Sequence, residues 1–158
     1  MKTIFAGLVL LGSATSVVAG GTFDSTGSVK GQAASEITVL SEDHMVMLLP
    51  AKHTAFDMAT PDHPFADMTG SCTGATEVIG AAVSGQGMCV YENSKGEKLA
   101  IRWLANTFDA EGKFHGTWII EGGTGSMAGA SGGGDFISNT DVTSGAQDVA
   151  LTGAISLR

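Results

Sequence analysis

One stretch limits what this chain can fold into more than any other. It reads Gly122-Gly123-Thr124-Gly125-Ser126-Met127-Ala128-Gly129-Ala130-Ser131-Gly132-Gly133-Gly134. Glycine serves where the backbone needs positive φ or where two segments approach closely. The run directly follows the strand-like Phe114-His115-Gly116-Thr117-Trp118-Ile119-Ile120. A Gly-dense corner after an apolar run lets a sheet bend sharply, as at the edge of a barrel. The stretch therefore speaks to fold and is silent on chemistry.

The rest of the chain agrees with an all-β reading. No segment after residue 19 carries a helical stripe, and short alternating or β-branched runs recur between Gly, Asn and Asp clusters. If Cys72 faces Cys89 across a hairpin, the register places a two-residue turn at Gly80-Ala81, and Gly at its first central position suits type II′. Asn93-Ser94-Lys95-Gly96 and Asp109-Ala110-Glu111-Gly112 both begin with an Asx residue and end in Gly, as in a type I turn followed by a left-handed glycine. These signals predict a meander of strands over 70–79, 82–92, 97–108 and 113–121. Leu99, Ile101, Trp103 and Ala105 share one face of their strand, as do Phe114, Trp118 and Ile120 of the next, and both sets are assigned to the core. Arg102, Asn106, His115 and Thr117 fall on the opposite faces. Phe23–Gln32 and Ile37–Leu49 read as two earlier strands, and Asp135–Val142 and Gln147–Leu157 as two later ones. Pro50–Met68 holds all three prolines and no clean period, and reads as a long loop or lid. Eight or nine short antiparallel strands in a small domain make a barrel or a sandwich, and closure removes exposed edges.

The stretch Gly122–Gly132 resembles the Gly-Gly-Thr-Gly…Ala…Gly signature of dirigent proteins, and the corresponding segment of allene oxide cyclases and their uncharacterised bacterial relatives. Gly116-Thr117-Trp118-Ile119-Ile120 fits the strand that leads into it. The resemblance covers about 25 residues directly; Met127 stands where an aromatic is more usual. It implies an eight-stranded antiparallel barrel around a central cavity, often trimeric, that binds or steers small hydrophobic molecules. The family's catalytic acids find no counterpart here, so no catalytic role is carried over.

The N-terminus has the order of a secretory signal: Lys2, the apolar Ile4–Leu11, and the small-residue end Val17-Val18-Ala19. Cleavage after Ala19 would leave one domain, 20–158, in the periplasm or secreted. The apolar run is too short to span a bilayer. Losing Lys2 leaves 7 basic side chains against 16 acidic ones, a formal charge of −9. Such a surface repels nucleic acid and anionic lipid, which argues against both as partners. Two cysteines in an exported chain, Cys72 and Cys89, imply a disulfide worth roughly 3 kcal/mol in the chain-entropy model. Their spacing is neither the Cys-x-x-Cys of a redox pair nor a zinc set.

Candidate sites are sparse. Gly129-Ala130-Ser131-Gly132-Gly133 matches Gly-x-Ser-x-Gly formally, but Gly134-Asp135-Phe136-Ile137 continues it as a strand, where a nucleophile elbow needs a helix. Gly123-Thr124-Gly125…Gly129 is one residue too long for a dinucleotide loop and lacks βαβ context, so no cofactor is called for. His53-Thr54-Ala55-Phe56-Asp57-Met58 is echoed by His63-Pro64-Phe65-Ala66-Asp67-Met68. Imidazole and carboxylate suit zinc and related ions, which makes His53, Asp57, His63 and Asp67 a candidate metal set. Against it, Pro64 breaks any shared helical face, and Asp62 reads as a cap for one helical turn. His44 with Met45 and Met47 reads as core packing. Arg102, Asn106, His115 and Glu121 form a polar site only if they face the lumen; otherwise they are solvated outer residues.

Four functional readings stand at this level. The first is binding of a small apolar molecule in the lumen, with Trp103, Phe114 and Trp118 as wall and Arg102 and His115 as candidate polar contacts. The second is an isomerase or cyclase using the same pocket. The third is a periplasmic metal binder built on the echo. The fourth is a structural module with a packed lumen.

Overall fold

The computed structural model describes residues 20–158; the signal-peptide reading of 1–19 lies outside the described residues. The strands are β1 (Thr22–Asp24), β2 (Gly27–Ala33), β3 (Glu36–Ser41), β4 (His44–Leu48), β5 (Ala51–Met58), β6 (Thr69–Ile79), β7 (Ala82–Glu92), β8 (Lys98–Phe108), β9 (Phe114–Gly123), β10 (Ser131–Thr140), β11 (Ala146–Leu151) and β12 (Ala154–Ser156). A 3-10 turn, Gly125–Met127, follows β9. No helix among the described residues is long and apolar enough to cross a membrane.

Eight strands close a barrel, every pair antiparallel, in the order β10-β11-β2-β5-β6-β7-β8-β9 with β9 pairing back to β10. The meander stands as the turn signals place it. Cys72 pairs with Cys89, Ile79 pairs with Ala82, and Gly80 takes a φ of 57° at the turn between them. Cys72 and Cys89 are disulfide-bonded. Gly96 and Gly112 have φ of 79° and 80°, and each donates its N–H to the carbonyl of the Asx residue three positions earlier.

The glycine run is explained at β10. Ser131 to Gly133 of this strand pair with β12, Gly133 to Ser138 with β9, and Phe136 to Thr140 with β11. A Cβ on Gly132 would strike the Ala154 carbonyl, and one on Gly134 the Thr152 carbonyl. Only glycine lets three backbones converge there. Gly125 and Gly129, with φ of 60° and 78°, turn the chain through the short 3-10 segment.

Four sequence assignments are corrected: Phe23–Gln32 is split into β1 and β2, Gln147–Leu157 into β11 and β12, and two others change more deeply. Ile37–Leu49 is not one strand but the hairpin β3–β4, turned at Glu42-Asp43, with β4 pairing on to β6. Pro50–Met68 is not a lid. Its first half is the barrel strand β5, and Thr54 is an extra residue in the pairing with β2, since Lys30 faces Ala55 while Gly31 faces His53. That bulge puts Ala51, His53 and Phe56 all inward and destroys the two-residue period. The remainder, 59–68, folds back as a plug. Phe65 and Met68 are 1% exposed, and the Phe65 ring packs on Phe56, Trp118 and His63.

Candidate functional site

The barrel encloses a cavity of about 610 Å³. Phe65 and the buried Val29, Phe56, Ile101, Trp118 and Val149 line its depth; Ile37 and Met45 of the β3–β4 hairpin, Phe108, Phe114 and the turn 140–145 line its mouth. The size suits one small organic molecule. Glycines shape the wall. A Cβ on Gly74 or Gly87 would occupy the space of the Trp103 indole, and one on Gly116 would come within 2.6 Å of the Phe136 ring. Large flat side chains thus lie against strands thinned by glycine. Of the residues that the sequence nominates, Trp103, Phe114 and Trp118 all line the cavity.

One polar chain crosses this apolar wall. Gln147 on β11 pairs with Gly31 on β2, Gly31 with His53 on β5, His53 with Gly70 on β6, and Gly70 with Tyr91 on β7. Along this row of paired residues, polar side chains therefore alternate with glycines. A Cβ on Gly31 would lie 2.7 Å from His53 Cδ2, and one on Gly70 would lie 2.6 Å from Tyr91 Cδ1. The gaps let the three side chains meet. His53 Nδ1 lies 2.8 Å from the Tyr91 hydroxyl, His53 Nε2 lies 3.0 Å from Gln147 Oε1, and Gln147 Nε2 donates to Ser138 Oγ at 3.1 Å. Burial pushes the pKa of His53 down and that of Tyr91 up, so both are neutral near pH 7.

A second buried pair, Ser25 Oγ and His63 Nε2 at 3.1 Å, looks like a nucleophile beside a base. Its proton arrangement rules that out. The Phe65 N–H donates to His63 Nδ1 at 3.0 Å, so the neutral ring carries its proton on Nε2 and donates to Ser25. Burial lowers the pKa of His63, partly opposed by the Asp24 carboxylate, and holds it in that neutral form. The pair pins the plug to the turn after β1.

The structure places the remaining candidates apart. Asp57 is exposed, and Asp67 is exposed and accepts from the Ser94 hydroxyl at 2.8 Å. His53, Asp57, His63 and Asp67 are not gathered, and among the described residues no group of three or more His, Cys, Asp and Glu side chains could hold a metal ion. Arg102 lies outside the barrel and pairs with Glu121. His115 also lies outside, 2.7 Å from the Asp109 carboxylate, so neither reaches the lumen. Tyr91 and Gln147 carry the site, and sequence reasoning misses both. The signal is present: Tyr91 is in phase with Cys89, and Gln147 with Val149 and Leu151, so each shares its strand's inward face.

A closed eight-stranded antiparallel barrel around an apolar cavity, with a glycine-rich corner after β9, defines this chain as a dirigent-like barrel. Comparison with solved structures matches it to a pterocarpan synthase dirigent protein, with a TM-score of 0.52 and 14% sequence identity over 91% of this chain and 89% of the other. At that identity the likeness is one of fold. No protein-family model matches the chain, and no curated protein matches it.

Proposed function

We propose that this protein is exported with residues 1–19 removed, works as the single unit 20–158, and binds one small, largely apolar molecule in its lumen. The observation that carries this reading is an apolar cavity of about 610 Å³ crossed by one fully hydrogen-bonded polar chain. A barrel packed only for stability fills its interior with side chains. Trp103, Phe114 and Trp118 supply the wall in this reading, and the Tyr91–His53–Gln147 chain supplies orientation. The solved relative is named a synthase, but binding is the better reading here. Both ring nitrogens of His53 are engaged, by Tyr91 and by Gln147, so its ring presents no free lone pair to a lumenal substrate.

The chain's two tryptophans both line the cavity, so their fluorescence reports occupancy. Indane, an apolar bicycle, should shift the emission saturably. Leu151→Phe, which fills part of the lumen, should weaken the response while the circular dichroism of the barrel persists. No saturable response in the folded wild-type protein refutes lumenal binding.

A further inference from the structure

The chain Tyr91–His53–Gln147–Ser138 can be polarised in either of two senses, and both keep its three hydrogen bonds. In the first sense, Gln147 Oε1 accepts from His53 Nε2–H. Nδ1 then carries no proton and accepts from the Tyr91 hydroxyl, which leaves the Tyr91 oxygen as an open acceptor. At the other end Gln147 Nε2 donates to Ser138 Oγ, whose own hydrogen is free. In the second sense the Gln147 amide is turned over. Ser138 donates to Oε1, the amide nitrogen donates to His53 Nε2, and Nδ1–H donates to the Tyr91 oxygen. The Tyr91 O–H is then released. An amide turned by 180° exchanges O for N with almost no change of shape, and neutral imidazole exchanges tautomers, so the surrounding heavy atoms need not move.

Two further observations place the ligand at the Tyr91 end. Tyr91 is 4% exposed and sits deep in the lumen, while Ser138 is half-buried beside the mouth residues Thr140 and Asp141. The nearest other partner of the Tyr91 hydroxyl is the disulfide sulfur of Cys72 at 3.3 Å, a weak acceptor that a ligand oxygen easily displaces. Burial also favours neutral His53, and a protonated ring would donate at both nitrogens and abolish the choice.

We propose that this chain is a reversible relay that lets one lumenal site take either hydrogen-bond acceptors, such as a ketone, or hydrogen-bond donors, such as an aromatic N–H. An acceptor selects the sense in which Tyr91 donates, and a donor selects the sense in which it accepts. The ligand class is thus a small apolar ring system bearing one neutral hydrogen-bonding group of either sign. This inference rests on the lumenal-binding reading.

The test uses three bicyclic probes of one size: 1-indanone, an acceptor only; indole, a donor only; and indane, neither. Calorimetry reads their affinities, and nitrogen-15 NMR of the imidazole reads the His53 tautomer in each complex. Indanone and indole should each bind about three- to tenfold tighter than indane, the worth of one hydrogen bond. His53 should carry its proton on Nδ1 with indanone and on Nε2 with indole. Tyr91→Phe should erase the advantage of both polar probes over indane measured on the same variant. The same tautomer in both complexes overturns the relay. So do polar probes that bind no tighter than indane, an outcome that leaves lumenal binding intact. If indane itself fails to bind, the relay and the lumenal reading fall together.

Discussion

Replacing Phe65 by Ala tests whether 59–68 is a plug or a lid. The ring is 1% exposed, with centroids 5.6 Å from Phe56, 5.9 Å from Trp118 and 4.8 Å from His63. Truncating a fully buried Phe costs about 3–5 kcal/mol, the sum of lost transfer energy and the cavity left behind. The barrel gives that cavity little chance to collapse, because the contacted rings sit on three different parts of the molecule and two of them on closed strands. For a chain of this size each kcal/mol moves Tm by roughly 2–4 °C, so the midpoint should fall by about 6–20 °C. The assay is thermal unfolding monitored by far-ultraviolet circular dichroism, with Phe65→Leu as a partner that keeps most of the volume and most of the stability. A fall of under about 3 °C for Phe65→Ala would mean that the segment opens freely in the folded state. The plug, and with it the closed floor of the cavity, would then be wrong.

The same geometry sets three further outcomes. Gly31→Ala drives a methyl against the Lys52 carbonyl and His53; it should cost about 1–3 kcal/mol in denaturant melts and broaden the His53 imidazole resonances, and a neutral result would refute the need for a glycine gap there. Thr76 is 1% exposed with an unpartnered hydroxyl, so Thr76→Val should stabilise the barrel by about 1 kcal/mol or more, and any loss of Tm would show that the hydroxyl has a partner. Folding depresses the pKa of both His53 and His63, so the unfolded chain binds more protons; stability should be full above about pH 6.5 and fall as pH drops below it, before the carboxylates titrate, and His63→Asn should flatten part of that slope in melts between pH 7 and 5.

How much of this is legible in the sequence varies by segment, for physical reasons. From Gly70 to Gly123 the turns are written in residues with few alternatives: Gly80, Asn93 with Gly96, and Asp109 with Gly112. Strand ends there are set by turn chemistry. The inward row Leu99, Ile101, Trp103 and Ala105 is set by the two-residue period. The β3–β4 turn carries Glu42-Asp43 and no glycine, and β3 is exposed on both faces, so neither punctuation nor alternation marks it. Strand β5 is hidden by Pro50 before it and the Thr54 bulge within it. His53 is conspicuous in the sequence as a candidate ligand, but its partners sit on β7 and β11, distant in sequence and close only once the barrel shuts. Barrel closure brings Tyr91 and Gln147 to it, and the glycines between them mark the row of paired residues along which they meet.

The central claim is that the lumen holds a small molecule, and native mass spectrometry of the protein from an oxidising compartment tests it most directly. A lumenal binder should give a species heavier than the disulfide-bonded chain by one organic molecule, either carried through purification or gained on incubation with indane. Leu151→Phe should lose that added mass. A folded chain that stays bare in both conditions contradicts lumenal binding and makes the barrel a packed structural module.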